Sequence, residues 1–479
     1  MDSDVLVERI KQIDRLIEAG DIWQGWYELN ALASLNPDLG DGWMAIAWLA
    51  GRAGDDDLAA DAAIRAVGSS RSDPRRQMVL LQFLALANRV EDAQRLAATL
   101  LESRSGESEL QKFAGILAAR AGDLTLARER LRRALALAPE DGLAYEQLAH
   151  VGGLLDSEYD RLRRLAAAAG RSEEGAARLY ALGKAASDRG EIAEALAAIE
   201  GGAAIMRALA PHDPAPMEAY LGRLRTNFAT VPEGSSTDGP ILILGAPRSG
   251  TTLVEQALSA HSRIGATGES RLLRLAMQPL RNLESADLEA FRAGRDDEAM
   301  AKAWSSIGRT YDRLLARRIG EGLRATDKQL GNFFFVGALA RAHPGMKVVY
   351  CRRDPMDVAW SCWRLRLQGN AWSHDQEQIA RYLQSYDGLM SHWRDLLGPD
   401  RFLDLDYEDL VRDPVPVIDR LLAFAGLVPE DACHRPHLAK APVATASLAQ
   451  VREPIHRRAI GQWKSYASGL APLRAAFGH

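Results

Sequence analysis

Residues 240–252, PILILGAPRSGTT, set a glycine-closed loop ending in paired hydroxyls directly after a short apolar run. A loop of this kind aims backbone N–H groups and the positive end of a helix dipole at one point, which makes an anion site suited to phosphate. The spacing meets G-x-x-x-x-G-K-[ST] everywhere except at the lysine, where Thr251 stands. Threonine cannot supply the charge that reaches the β- and γ-phosphates of a nucleoside triphosphate. The cation lies inside the loop instead, at Arg248, among Ser249, Gly250, Thr251 and Thr252. The chemistry expected is phosphate binding without cleavage of ATP.

A second anion site is expected near KVVYCRRDPMDVAWSCW, which begins at Lys347. Arg353 follows a strand-like run, and Ser361, eight positions on, falls within the next helix, where it can reach the same anion. Arginine presents a planar fork matched to phosphate, and a serine hydroxyl adds a short bond. Two separate phosphate pockets would favour a ligand that carries two phosphates.

The elements that must hold these residues are legible around them. Ile241–Leu244 reads as an inner strand of a parallel sheet, and a helix starts by Leu253. Val348–Cys351 reads as a second strand, with Asp354 as an N-cap and Pro355 as the first helical residue. Residues up to about 225 differ: they are rich in Ala, Leu, Arg and Glu with helical apolar spacing. Gly20, Gly54, Asn88, Gly122, Asp156 and Gly190 recur every 34 residues, and these types tolerate turn conformations. Ala59, Ala93, Ala127 and Ala195 recur five positions further on, where small residues let helices approach; Arg161 breaks that series. The pattern resembles the tetratricopeptide repeat, a helix–turn–helix unit that buries its face only by stacking. That resemblance implies a concave surface for a peptide. Asn227–Gly239, NFATVPEGSSTDG, interrupts the helical pattern and separates a helical domain, 1–228, from a second domain, 238–479.

A length of 479 residues calls for more than one core. A net charge of −5 carries no general nucleic-acid signature, so any basic patch must be local. Cys351, Cys362 and Cys433 have no metal-ligand spacing and read as reduced thiols. The N-terminus, MDSDVLVERIKQ, has neither a cationic n-region nor an apolar h-region, and no run is long enough for a membrane span. The expected setting is cytoplasmic, with no nucleic-acid or membrane partner and no metal.

PRSGTT after a strand, and RRDPxDVxxSxW about a hundred residues later, resemble the two cofactor motifs of sulfotransferases. With the repeats, the chain is similar to protein-tyrosine sulfotransferases and to bacterial tetratricopeptide-repeat sulfotransferases. The resemblance implies a P-loop-like three-layer α/β domain with a parallel sheet, preceded by an all-α superhelix. It implies the cofactor 3′-phosphoadenosine 5′-phosphosulfate, with 3′,5′-diphosphoadenosine as product. The 5′-phosphosulfate is assigned to Arg248, Ser249, Gly250, Thr251 and Thr252, and the 3′-phosphate to Arg353 and Ser361. Thr267–Arg271 supplies Glu269 as general base, and Asp327–Asn332 supplies Lys328 for the departing oxygen. Tyr407, in DYEDL, packs against the adenine, and Arg452, in the segment Ser447–Pro454, contacts the 3′-phosphate. Arg248, Lys328 and Ser361 would stabilise the leaving group. The acceptor expected from the repeats is a peptide or protein hydroxyl, with tyrosine foremost and a homodimer as a further expectation. The alternatives are a small-molecule or carbohydrate acceptor, a P-loop kinase or NTPase, and a repeat scaffold with an inactive transferase domain.

Overall fold

The computed structural model describes residues 3–69, 73–235, 238–283, 298–439 and 453–479. The first part is entirely helical, from Ser3–Glu18 to Ala215–Asn227. Its helices come in antiparallel pairs, and the 34-residue period falls on the turns inside the pairs. Gly20, Gly54, Gly122 and Gly190 all have positive φ, and Asn88 adopts the same left-handed turn at φ 58°. The alanines five positions on are fully buried. Gly115 and Gly183 show why small residues are needed seven positions before the turn. A Cβ there would stand 2.8 Å from Leu131 and 2.6 Å from Ile199, side chains of the paired helices.

One unit departs from the pattern. Asp156 is not a turn residue; it begins the helix Asp156–Ala167. The preceding helix, Gly142–His150, is short, and the chain turns instead at Gly152 and Gly153, both with positive φ. Arg161 is exposed, and Leu162 takes the buried position. Of the N-terminal tryptophans, Trp26 and Trp43 are core residues, while Trp48 is half exposed.

The second part is a five-stranded, all-parallel sheet with helices. We number its strands β1 (Ile241–Leu244), β2 (Ile264–Ala266), β3 (Arg324–Asp327), β4 (Lys347–Arg352) and β5 (Phe402–Asp406). Their order is β2-β3-β1-β4-β5, with β1 in the centre. β1 runs in register with β4 from Ile241 opposite Lys347 to Leu244 opposite Tyr350. All four residues of β1 are buried, because both sheet faces are covered. Ile241 and Ile243 pack with Val254, Leu258, Ile418 and Leu421, whereas Leu242 and Leu244 join a core with Met346, Tyr386 and Trp393. Cys351 and Cys433 are buried in the first of these clusters, and all three cysteines are free thiols.

Charge ties the two parts together. Three consecutive carboxylates, Asp55, Asp56 and Asp57, stand at the N-terminal end of the helix Asp56–Ser69 and face three arginines of the sheet half. Asp55 pairs with Arg317, Asp56 with Arg271, and Asp57 with Arg318 at 3.0 Å. Asp55 is wholly buried and also accepts the Trp26 indole N–H at 2.8 Å. Further along, Glu146 and Arg366 form a buried pair at 2.7 Å, and the Tyr180 hydroxyl meets His374 Nδ1 at 3.1 Å. None of the helices among the described residues is long and apolar enough to cross a membrane.

Asp55→Ala leaves the Trp26 donor without an acceptor and Arg317 without its nearest anion. The expected loss is about 2–3 kcal/mol, chiefly the cost of a buried polar group left unpaired. Denaturant unfolding read separately by helix signal and by tryptophan fluorescence should show both parts losing stability together.

Candidate active site

Each strand of the sheet ends at one residue singled out from the sequence. In spatial order these are Glu269 after β2, Lys328 after β3, Arg248 after β1, Arg353 after β4 and Tyr407 after β5. Ligands bind open parallel sheets outside the carboxyl ends of their strands. The site is therefore a consequence of strand direction, not of any single motif.

The β1 loop is built to curl. Gly250 caps the helix Thr251–Ser259 at φ 101°, and Arg248 itself sits at φ 73°. Tyr386 hydroxyl accepts the Gly245 N–H at 2.9 Å. A Cβ on Gly245 would lie 2.2 Å from Ser249 Oγ, and one on Gly250 would lie 2.6 Å from the Tyr407 ring. Ser249, Thr251 and Thr252 are all buried, and Ser249 Oγ has no hydrogen-bond partner. Bare backbone, an orphaned hydroxyl and a helix N-terminus converge there, as expected of an anion cradle.

Arg353 and Ser361 meet that loop. Asp354 caps the helix Pro355–Trp363 as the sequence predicts, accepting from the Met356 and Asp357 N–H groups. Arg353 Nη1 donates to the Arg248 carbonyl at 2.8 Å and Nη2 to the Ala459 carbonyl at 2.6 Å. Its guanidinium lies 4.7 Å from the Tyr407 ring centroid, and its Nε is buried without a partner. Ser361 Oγ accepts from Arg248 Nε at 3.0 Å. Arg248, Gly250, Thr252, Arg353, Tyr407 and His456 line one cleft. Burial, with Arg364 and Arg353 beside it, pushes Arg248 down to about 10. A cluster of like charges held this way calls for an anion. Arg452 lies outside the described residues.

On the other side of β1, Lys328 Nζ donates to Glu269 Oε1 at 2.9 Å. Lys328 is only 2% exposed, so it is no surface lysine, while Glu269 is exposed in its loop, with 37% of its side chain accessible. Burial opposes the Lys328 charge, but Glu255 and Glu269 prevail and raise it above the usual lysine range. Asp327, also buried, rises to about 6 and accepts from the Tyr311 hydroxyl at 2.6 Å. His261, near the end of the first helix, points elsewhere: it is buried against the Val428 carbonyl at 3.0 Å.

Several residues at the site escape sequence reading. Arg364 adds a half-buried cation whose buried Nε has no partner. Asp357 accepts the Gly461 and Trp463 N–H groups at 2.6 and 3.3 Å, which anchors the C-terminal segment over the helix Pro355–Trp363. Glu255 sits four residues after Thr251, a helical spacing that puts it on the same face and was available as a signal. The helical half also reaches in. Asn88 Nδ2 lies 3.7 Å from where a Gly268 Cβ would stand, and Arg120 Nη2 donates to the Ala85 carbonyl at 3.1 Å beside it. No spacing within one domain could have shown that.

The geometry defines an α/β anion-binding site whose cations come from Arg and Lys at strand ends, with no P-loop lysine. Residues 240–431 match the model of the Sulfotransferase family, so the chain carries a sulfotransferase-family domain. An uncharacterized protein of Aquifex aeolicus is 31% identical over 278 residues, covering 56% of this chain and 35% of that protein. Protein-tyrosine sulfotransferase 2 of Gallus gallus is 24% identical over 280 residues, covering 50% of this chain and 69% of that enzyme. The chain thus spans about a third of the first relative's length and about two thirds of the second's. Among solved structures, the sulfotransferase domain of the Synechococcus PCC 7002 olefin synthase aligns with a TM-score of 0.33 at 22% identity, over 52% of this chain and 98% of that one.

Gly250→Ala should lower the melting temperature, since a strained left-handed residue costs about 1–3 kcal/mol and the new methyl must displace Tyr407. Gly331→Ala, with open space around its Cβ position, is the control and should melt like the parent. Equal melting of the two variants would show that the loop is not sterically fixed.

Proposed function

We propose that the chain transfers a sulfuryl group from 3′-phosphoadenosine 5′-phosphosulfate to an acceptor hydroxyl. The observation that carries this reading is the meeting of the two strand-end motifs: Arg353 donates to the Arg248 carbonyl, Ser361 accepts from Arg248 Nε, and Arg248, Gly250, Thr252, Arg353 and Tyr407 line one cleft. An adenosine with phosphates on both its 3′ and 5′ sides matches them. The residues present suit that ligand: Ser249 Oγ and Arg353 Nε are buried without partners, and the glycines keep the loop bare.

In this reading Ser249, Gly250, Thr251 and Thr252 hold the 5′-phosphosulfate through loop donors and the helix N-terminus. Arg353 and Ser361 hold the 3′-phosphate, and Tyr407 packs beside them. When bound, the donor supplies a sulfuryl group on a phosphate leaving group. Glu269 takes the acceptor's hydroxyl proton at a carboxylate oxygen. Arg248 and Lys328 supply fixed positive charge where negative charge grows, which a protein can do without a metal because a sulfuryl group carries less charge than a phosphoryl group.

The acceptor we favour is a hydroxyl on a peptide or protein, tyrosine first among them. Supporting this, Asn88 and Arg120 of the tetratricopeptide-like array stand beside the Glu269 loop, so the array forms part of the approach to the base.

Thermal-shift titration should show stabilisation by 3′,5′-diphosphoadenosine and little by ATP. Arg353→Ala should weaken the former by tenfold or more, since a charge-assisted bond contributes ~1.5–3 kcal/mol. Preference for ATP with Mg²⁺ would overturn the assignment. Lys328→Ala should lower labelled-sulfate transfer to a peptide library by roughly 10²–10³-fold, the range for losing a transition-state donor, with nucleotide affinity little changed. Unchanged turnover would remove Lys328 from the chemistry.

A further inference from the structure

Glu255 is a buried carboxylate that the reaction above does not use. It projects from the helix Thr251–Ser259, whose first turn forms part of the phosphate cradle. Its Oε1 accepts the Gly268 N–H at 3.1 Å, one residue before Glu269. Its Oε2 faces Lys328 Nζ at 4.0 Å, on an ammonium that already donates to Glu269 at 2.9 Å. The Lys328 N–H donates to the Gly268 carbonyl at 3.1 Å, so Glu255 braces a junction in which both partners are held by backbone as well as side chain.

That arrangement answers a physical difficulty. Lys328 is buried, and a buried ammonium needs an anion at all times. To act on a donor's oxygens it must loosen its bond to Glu269, which must itself be released to take a proton. We propose that Glu255 is a positioning residue for this reaction, the counter-ion that holds Lys328 in place in the empty site and hands it to the incoming donor by taking up a proton as the donor's own negative charge replaces it. The inference rests on the sulfuryl-transfer reading given above.

Among the described residues, the titratable groups around Glu255 are few. Lys328 and Asp327 face it from the end of β3, and Glu269 from the loop after β2; β1 and β2 carry no titratable side chain, and the turn Pro436–Leu438, which carries His437, packs on the same helix. Burial raises Glu255 to about 7, more than Lys328 and the Gly268 N–H lower it. The sign follows. A bound polyphosphate disfavours a second negative charge nearby, so binding draws a proton onto Glu255, and affinity falls as pH rises through about 7.

The test is calorimetry of 3′,5′-diphosphoadenosine with the full chain and its Glu255→Gln variant between pH 6 and 8.5. The variant keeps an oxygen for Gly268 but cannot ionise. Expected is equal affinity near pH 6 and about three- to tenfold tighter binding by the variant at pH 8.5, a coupling of up to about one pK unit. Parallel curves would overturn the proposal, because a carboxyl that only fills space leaves no pH signature. If the variant does not fold, titration of the parent in two buffers of different ionisation heat reads proton uptake near pH 7 directly, and zero uptake is the overturning result. If the parent binds no nucleotide at all, the donor assignment fails instead. Glu255 is then read in the ligand-free chain by infrared spectroscopy: the band of a neutral buried carboxyl must fade through about pH 7, and its absence at pH 6 overturns the proposal.

Discussion

Parallel pairing of β1 with β4 is the constraint from which the site follows. Leu244 stands opposite Tyr350, so the two chains leave the sheet at the same edge and nearly the same height. Arg353 therefore begins its reach within a side chain's length of the loop that holds Arg248. A slip of two residues would preserve every buried face and still move one strand end by roughly 6.6 Å. The bond from Arg353 to the Arg248 carbonyl would then be out of range. Hydrophobic burial fixes which faces of the strands are covered, and the register fixes whether Arg353 meets the loop of Arg248.

Across the sheet the strand ends change sign. Beyond β1 and β4 lie cations: Arg248, Arg353 and the half-buried Arg364. On the side of β2 and β3, Glu269, Asp327 and Glu255 of the helix after β1 surround the ammonium of Lys328. A group transfer that needs positive charge at one end and a proton acceptor at the other finds both within one row of loops. The central loop, carried on the most buried strand, marks the boundary between them.

Much of this was legible from residue types. The apolar run before the loop, the missing P-loop lysine, the Asp354 cap and the placement of Ser361 within a helix all depend on local chemistry, and local chemistry survives folding. The 34-residue turns were equally readable, because left-handed backbone narrows the choice to Gly or Asn. Asp156 misled because a shortened helix moved the turn to Gly152 and Gly153, a change of length that no turn residue announces. β2 and β3, only three and four residues long, were hidden because IGA and RATD have no strand-like run. Contacts such as Asn88 with the Glu269 loop were unreadable in principle, since they join segments whose only relation is spatial.

The row of Asp55, Asp56 and Asp57 against Arg317, Arg271 and Arg318 changes what the boundary near residue 228 means. Arg271 and Arg318 flank the segment that carries Glu269, and Arg318 also donates to the Thr267 carbonyl. Their counter-charges come from the other half of the chain. Cut at the linker, the sheet half would keep its fold pattern but expose three guanidinium groups around a loop that had lost its anchors. The seam visible in the primary sequence is thus crossed by ion pairs, which tie the second helical pair to the loop whose carboxylate stands at the edge of the sheet.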